Sequence, residues 1–94
     1  MIEFEWDLHK ARYNMQQHGV SFTEAATVLS DDLGVTVYDP DHSVDEDRYI
    51  TIRWSQQHRL LMVSHTERGD RIRLISAREL TRAEREAYEE EHHT

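Results

Sequence analysis

The segment "RLLMVSHTERGDRIRLISAR" (59–78) most constrains what this chain can fold into. Residues 59–66 are apolar on both faces near their middle, the composition of a strand covered on both sides. "ERGD" follows, with Gly69 able to take the positive φ of a tight hairpin turn. "RIRLISAR" then supplies the returning strand. Strict alternation places Arg71, Arg73, Ile75 and Ala77 on one face, with Ile72, Leu74, Ser76 and Arg78 on the other. On that reading Arg71 and Arg73 are solvent-facing charges of a hairpin, whereas Arg78 follows the apolar face out to the sheet margin.

The remaining segments assemble around this hairpin. Ile2, Phe4 and Trp6 alternate with Glu3, Glu5 and Asp7, the period of a half-buried strand. Asp7 suits the N-cap of a helix over 8–18, on which Leu8, Ala11, Met15 and His18 share a face, and Gly19 suits the left-handed position after it. Ser21 and Glu24 have capping-box spacing and open a second helix over 22–30 that buries Phe22, Ala25, Ala26 and Leu29. "LGVTVYDPD" is a strand stopped by Pro40, "DHSVDED" a charged loop, and "RYITIRW" an alternating strand. Thr81 and Glu84 form another capping box before a last helix that frays over 89–94. The order β-α-α-β-β-β-β-α predicts one α+β domain, residues 1–94, with a mostly antiparallel sheet.

Charge is unevenly distributed. The formal net charge is −8, yet residues 48–85 hold nine Arg against Glu67, Asp70, Glu79 and Glu84, while residues 1–47 hold eleven acidic side chains against Lys10 and Arg12. So acidic a total argues against broad nucleic-acid binding, because that affinity scales with the phosphates neutralised. It leaves room for a local anion site. The absence of cysteine excludes disulfides, thiolate metal sites and cysteine nucleophiles. His42, His65, His92 and His93 include no pair with helical ligand spacing, so no metal site is expected. No basic-then-apolar leader and no long apolar run is present, which predicts a soluble, cytoplasmic protein without membrane association.

Three groups of residues carry possible chemistry. Arg78, at the strand end, needs a planar partner, either an internal carboxylate or a bound phosphate. Lys10, Asn14 and His18 recur at i, i+4 and i+8, so a cation, an amide and an imidazole can meet one extended ligand or simply form a solvated helix edge. His42, Glu46 and Arg48 precede a strand and can supply an acid, a base and an anion clamp, or a solvated loop.

Taken together, "FEWDLHKARYNMQQHGVSFTEA", "DHSVDEDRY" and "SHTERGDRIRLISARELTRAEREAYEE" resemble the BrnT family of toxins over residues 4–90. The resemblance rests on three blocks in the right order and spacing. The first matches at Trp6, Asp7, Lys10, Asn14, His18 and Gly19, and the second at His42, Ser43, Glu46 and Arg48. The last matches at Thr66, Arg68, Gly69, Ser76, Ala77, Arg78, Glu84, Arg85 and Tyr88. It implies a RelE-like α+β fold and a ribonuclease toxin of a type II toxin–antitoxin module. The implied partner is a ribbon-helix-helix antitoxin, through which the complex binds operator DNA. No cofactor is implied.

RNA is cut when its own 2′-hydroxyl attacks the adjacent phosphate, so such a protein must orient the backbone, move two protons and stabilise charge. The resemblance makes Arg78 the first candidate for that charge and Lys10 a supporter. His18 and Glu46 are proton carriers, with Arg48, Arg68, Arg82, Asn14 and Tyr88 as substrate-binding residues. The chain departs from the family pattern at Gln17, where a second lysine is usual, and at Arg53 and Trp54, where a glycine follows "YITI". An acidic chain also repels RNA. The competing expectation is therefore a weakly active or inactive homologue that only binds the antitoxin in an autoregulatory complex.

Overall fold

The predicted hairpin is the centre of a five-stranded sheet. The computed structural model describes residues 2–30 and 34–92. Its elements are β1 (Glu3–Glu5), α1 (Leu8–His18), α2 (Phe22–Leu29), β2 (Val35–Tyr38), a short 3-10 turn (Pro40–His42), β3 (Tyr49–Trp54), β4 (Leu60–Arg68), β5 (Arg71–Glu79) and α3 (Arg82–His92). The sheet order is β1-β5-β4-β3-β2, antiparallel except for the parallel pair β1–β5. The expected element order and fold class are thus observed. Leu33, placed in the second strand by the sequence, lies outside the described residues, as do His93 and Thr94. The last helix runs on through residues 89–92, where the sequence suggests fraying.

Local chemistry sets the boundaries. The Asp7 carboxylate accepts the amides of His9 and Lys10 at 2.7 and 3.3 Å, which caps α1 and holds the carboxyl below its usual pKa. Gly19 ends the helix at φ 66°, and its N–H returns to the Met15 carbonyl. Gly69 turns the β4–β5 hairpin at φ 64°. Val20, Phe22, Ala25, Val28 and Leu29 then pack against Leu61, Val63, Leu74 and Ala77 to form one core. Trp6 closes one side, its ring edge-on to Phe22 at 6.0 Å.

Two expectations fail here. The apolar residues expected to share a face of α1 do not seat it on the core, since Leu8 and Met15 remain 67% and 48% exposed. Ala11 and Asn14 make the contact, and Asn14 is buried. Its amide donates to the carbonyls of Val20 and Ala77 at 2.9 and 2.8 Å, and its carbonyl accepts the Ala77 N–H at 2.9 Å. Because β1 pairs only with Arg71–Arg73, β5 has a free edge beyond that point. Asn14 therefore acts as one residue of a missing strand.

The second failure concerns alternation along β5. Ser64 pairs with Ser76 but His65 with Leu74, so Ile75 is an extra residue, a β-bulge. Leu74 and Ala77, three apart, both reach the helix-covered core. Ser76 and Arg78 accordingly continue the face of Arg71 and Arg73 instead of leaving it. Sequence periodicity cannot reveal this, because one inserted residue inverts every later assignment.

Asn14→Ala should lower unfolding free energy by about 3 kcal/mol, since it leaves buried backbone groups of Ala77 and Val20 unpaired. Urea denaturation measures this. Asn14→Asp should be less damaging at acid pH, where a protonated carboxyl regains one donor, than at neutral pH.

Candidate functional site

Beyond the end of β1, the open edge of β5 becomes the middle of a groove. One cavity of about 500 Å³ is lined by His9, Lys10, Tyr13, Asn14, His18, Ile75 and Ser76. A second of about 280 Å³ shares Ile75 and Ser76 with it and adds Asp39, His42, Arg48, Ile50, Met62, Ser64 and Arg78. A third of about 300 Å³ shares His42 and Arg48 with the second and extends along Asp41, Val44, Asp45 and Glu46. The shared walls make the three one track, from α1 over the bulge to the loop before β3. The helical stripe, Arg78 and the pre-strand loop, three separate groups in the sequence, thus meet along it.

Electrostatics sorts the cations on the track from those of the neighbouring strand. Arg71 and Arg73 pair with Glu3 and Glu5 at 3.1 and 2.9 Å, across the matching register of β1 and β5. Arg68 lies 3.3 Å from Glu46. Arg78 grips Glu84 in a fork of 2.7 and 3.0 Å, while its terminal nitrogens also reach the Glu79 carbonyl and the Met62 sulfur. Lys10 and Arg48, by contrast, have no carboxylate partner among the described residues. They stand on either side of the bulge.

The Arg78–Glu84 pair also fastens α3. Glu84 accepts the Thr81 N–H at 2.8 Å and Thr81 accepts the Glu84 N–H at 3.2 Å, completing the expected capping box. The Arg78 guanidinium, followed by the Thr81 amide, pulls the Glu84 carboxyl down to about 2. Arg78 is correspondingly held above its usual value. On the same sheet face, Arg85 sits 5.0 Å over the ring of Trp54.

The other predicted residues are placed as follows. His18 lines the first cavity and Glu46 the third, at opposite ends of the track. Asn14 lines the first cavity, but its amide is committed to backbone. Arg82 and Tyr88 lie on α3 outside the groove, and Arg82 pairs with Glu86 at 3.1 Å. His42 sits between, with Nδ1 2.8 Å from the Asp39 carboxylate. Tyr13, 63% exposed on α1, borders the first cavity, and its sequence context alone does not single it out. Its position three residues after Lys10 is the signal that places it there.

Two polar groups are structural. Glu24 has the spacing of a capping residue, yet its carboxylate turns inward to Arg59, which also donates to the Gly19 carbonyl at 3.0 Å. Ser55 adds a bond of 2.7 Å. The Arg59 guanidinium, and then Ser55, keep Glu24 ionised despite burial. His65 is buried on Thr51 at 2.8 Å and stacked on Tyr49, and burial lowers its pKa, which keeps it neutral.

The fold and site define a small single-sheet α+β domain whose groove crosses a free strand edge, flanked by Lys10 and Arg48, two cations without a carboxylate partner among the described residues. Residues 6–84 match the family described as "Ribonuclease toxin, BrnT, of type II toxin-antitoxin system", and the chain belongs to that family. Such membership implies an antitoxin partner. The structure is similar to the crystal structure of the Brucella abortus ribonuclease toxin BrnT, with a TM-score of 0.64 and 21% identity over 87% of this chain and 100% of that one. That likeness concerns the fold. No curated protein matched in a sequence comparison. Among the described residues, no helix is long and apolar enough to cross a membrane.

Removing the Glu84 charge tests the fork. A carboxyl whose folded pKa is depressed contributes stability above its unfolded pKa and loses it as pH falls. Here the loss spans the interval from 4.5 down to about 2. Glu84→Gln should therefore cost about 1 kcal/mol at neutral pH, allowing for solvent screening of a pair that is one-third exposed. It should also flatten the acid limb of a urea-midpoint series.

Proposed function

We propose that this chain is the toxin of a type II toxin–antitoxin module, an endoribonuclease that cuts RNA laid along the groove and thereby stops translation. The observation that carries this reading is the placement of Lys10 and Arg48, groove cations without carboxylate partners among the described residues, on either side of the bulge beside Arg78. An extended polyanion fits that arrangement better than a compact ligand does.

In the proposed reaction the 2′-hydroxyl attacks the adjacent phosphorus and the bond to the 5′-oxygen breaks. The products are a 2′,3′-cyclic phosphate and a 5′-hydroxyl. One proton leaves the 2′-hydroxyl and one reaches the departing 5′-oxygen, so two titratable groups suffice and the nucleophile comes from the substrate. Metal-independent chemistry follows from that economy. Arg48 is the readiest clamp for the phosphorane charge, with Arg78 offering its remaining Nε–H. His42, oriented by Asp39, is the imidazole sharing a cavity with both arginines, and His18 and Glu46 serve the flanking nucleotides or the second proton. Asn14, Arg68, Arg82 and Tyr88 assist only indirectly on this reading.

The partner we propose is an antitoxin with a ribbon-helix-helix domain. A chain of net charge −8 is a poor DNA ligand by itself, so operator binding requires a basic partner. One observation favours a second reading, a catalytically weak homologue that acts as an antitoxin-binding partner. The Arg78 guanidinium is already occupied by Glu84.

Expression without the antitoxin, with growth and RNA integrity followed over time, separates the two. The nuclease reading expects growth arrest and RNA fragments with 5′-hydroxyl ends. Arg48→Ala should reduce cleavage by roughly a hundredfold, the scale for losing a charge-stabilising donor. Lys10→Ala should have a smaller effect that grows with salt. Normal growth with intact RNA would establish the second reading instead.

A further inference from the structure

We propose that the cavity between α1 and the bulge of β5 is a base-binding subsite, in which an unpaired nucleobase stacks on Tyr13 and selects the nucleotide beside the cut. This rests on the ribonuclease reading and names how that site chooses its substrate.

The Tyr13 side chain has no packing duty that explains it. It is 63% exposed, and its hydroxyl has no hydrogen-bond partner among the described residues. The ring nonetheless lines the largest of the three cavities together with Ile75, the extra residue of the β5 bulge. An aromatic and a branched aliphatic side chain flanking an open cavity of about 500 Å³ suit a flat apolar ligand with polar edges. Single-stranded RNA presents such faces, and base–aromatic stacking tolerates any base while adjacent polar groups discriminate among them. Ser76, in the same cavity and without a side-chain partner among the described residues, offers a hydroxyl that can donate or accept at a base edge.

Continuity and charge argue for RNA as the occupant. The cavity shares Ile75 and Ser76 with the one holding Arg48, His42 and Arg78, so a base seated on Tyr13 belongs to the strand whose phosphate lies there. Lys10, free of carboxylates among the described residues, lines the same cavity and meets the charge of the neighbouring phosphate. His9 and His18 add further imidazoles at the wall. Asn14 holds the Ala77 backbone beside it, which keeps the cavity wall fixed.

The test has two arms. In the first, single-stranded 2′-O-methyl oligonucleotides, which resist cleavage, carry 5-iodouridine at successive positions and are irradiated with the protein. One position should crosslink to the peptide containing Tyr13. Tyr13→Leu should abolish that adduct and weaken binding roughly tenfold, whereas Tyr13→Phe should keep the affinity. In the second arm, cleavable RNA is digested and the ends are mapped. Tyr13→Leu should spread the cut sites over more nucleotides, which a purely structural residue would not do. Binding with crosslinks only elsewhere, no binding at all, or unchanged affinity and cut sites in Tyr13→Leu would overturn the subsite. A Tyr13 crosslink in a protein that cuts no RNA would sink the nuclease reading and with it the selection of a cut site, while the base-stacking contact on Tyr13 would stand.

Discussion

A single side-chain amide holds the functional half of this protein together. β1 is too short to cover β5, and an uncovered strand edge inside a small domain leaves backbone donors and acceptors to be satisfied. Asn14 meets both groups of Ala77 and also takes the Val20 carbonyl. It thereby fixes α1 to the sheet and the α1–α2 corner to α1. That attachment, together with Ala11 against the core, places α1 on the sheet. Lys10 and His18, four residues to either side, come to stand over the bulge because Asn14 is pinned beside it.

The bulge does the complementary work on the strand. An extra residue at Ile75 leaves Leu74 and Ala77 facing the same core and turns Arg78 to the face away from α1 and α2. Met62 and Ile52 follow Arg78 in the cross-strand register, and Trp54 lies on the same side. That face is where α3 is tied down, through the Glu84 fork and the stacking of Arg85 on Trp54. One irregularity thus decides both which side α3 occupies and that the groove passes over the edge of the sheet.

The elements were legible in the sequence because they rest on local chemistry. Asp7, Gly19, Ser21, Gly69 and Thr81 cap or turn as their residue types require, and the apolar run of residues 59–66 identified the central strand. What stayed hidden depended on contacts far apart in sequence. Asn14 reads as one member of a polar stripe until Ala77, sixty-three residues away, claims its amide. Glu24 reads as a capping residue until Arg59 turns it inward. The bulge is invisible to periodicity, which therefore puts Arg78 on the wrong face. The grouping of Lys10, His18, Arg48 and Arg78 into one groove came from the fold. The family resemblance names these residues together, but only geometry shows which cations lack a carboxylate among the described residues.

That distinction resolves the charge asymmetry of the chain. The four arginines of the hairpin, Arg68, Arg71, Arg73 and Arg78, each meet a carboxylate, and three of those carboxylates come from the acidic residues before position 48. The basic segment is therefore largely neutralised by folding, and its arginine count overstates its attraction for RNA. Arg78 is the instructive case. With Glu84 held near a pKa of about 2, the carboxylate stays charged at any physiological pH, so protonation cannot release the guanidinium. A phosphate must then either displace a two-bonded carboxylate that also caps α3, or settle for the Nε–H and rely on Arg48. The first route couples substrate binding to movement of α3, while the second makes Arg78 a fixed wall and Arg48 the principal charge. The second needs no rearrangement of the capping box, and it accounts for Arg48, without a carboxylate partner among the described residues, lying in the same cavity as the paired Arg78.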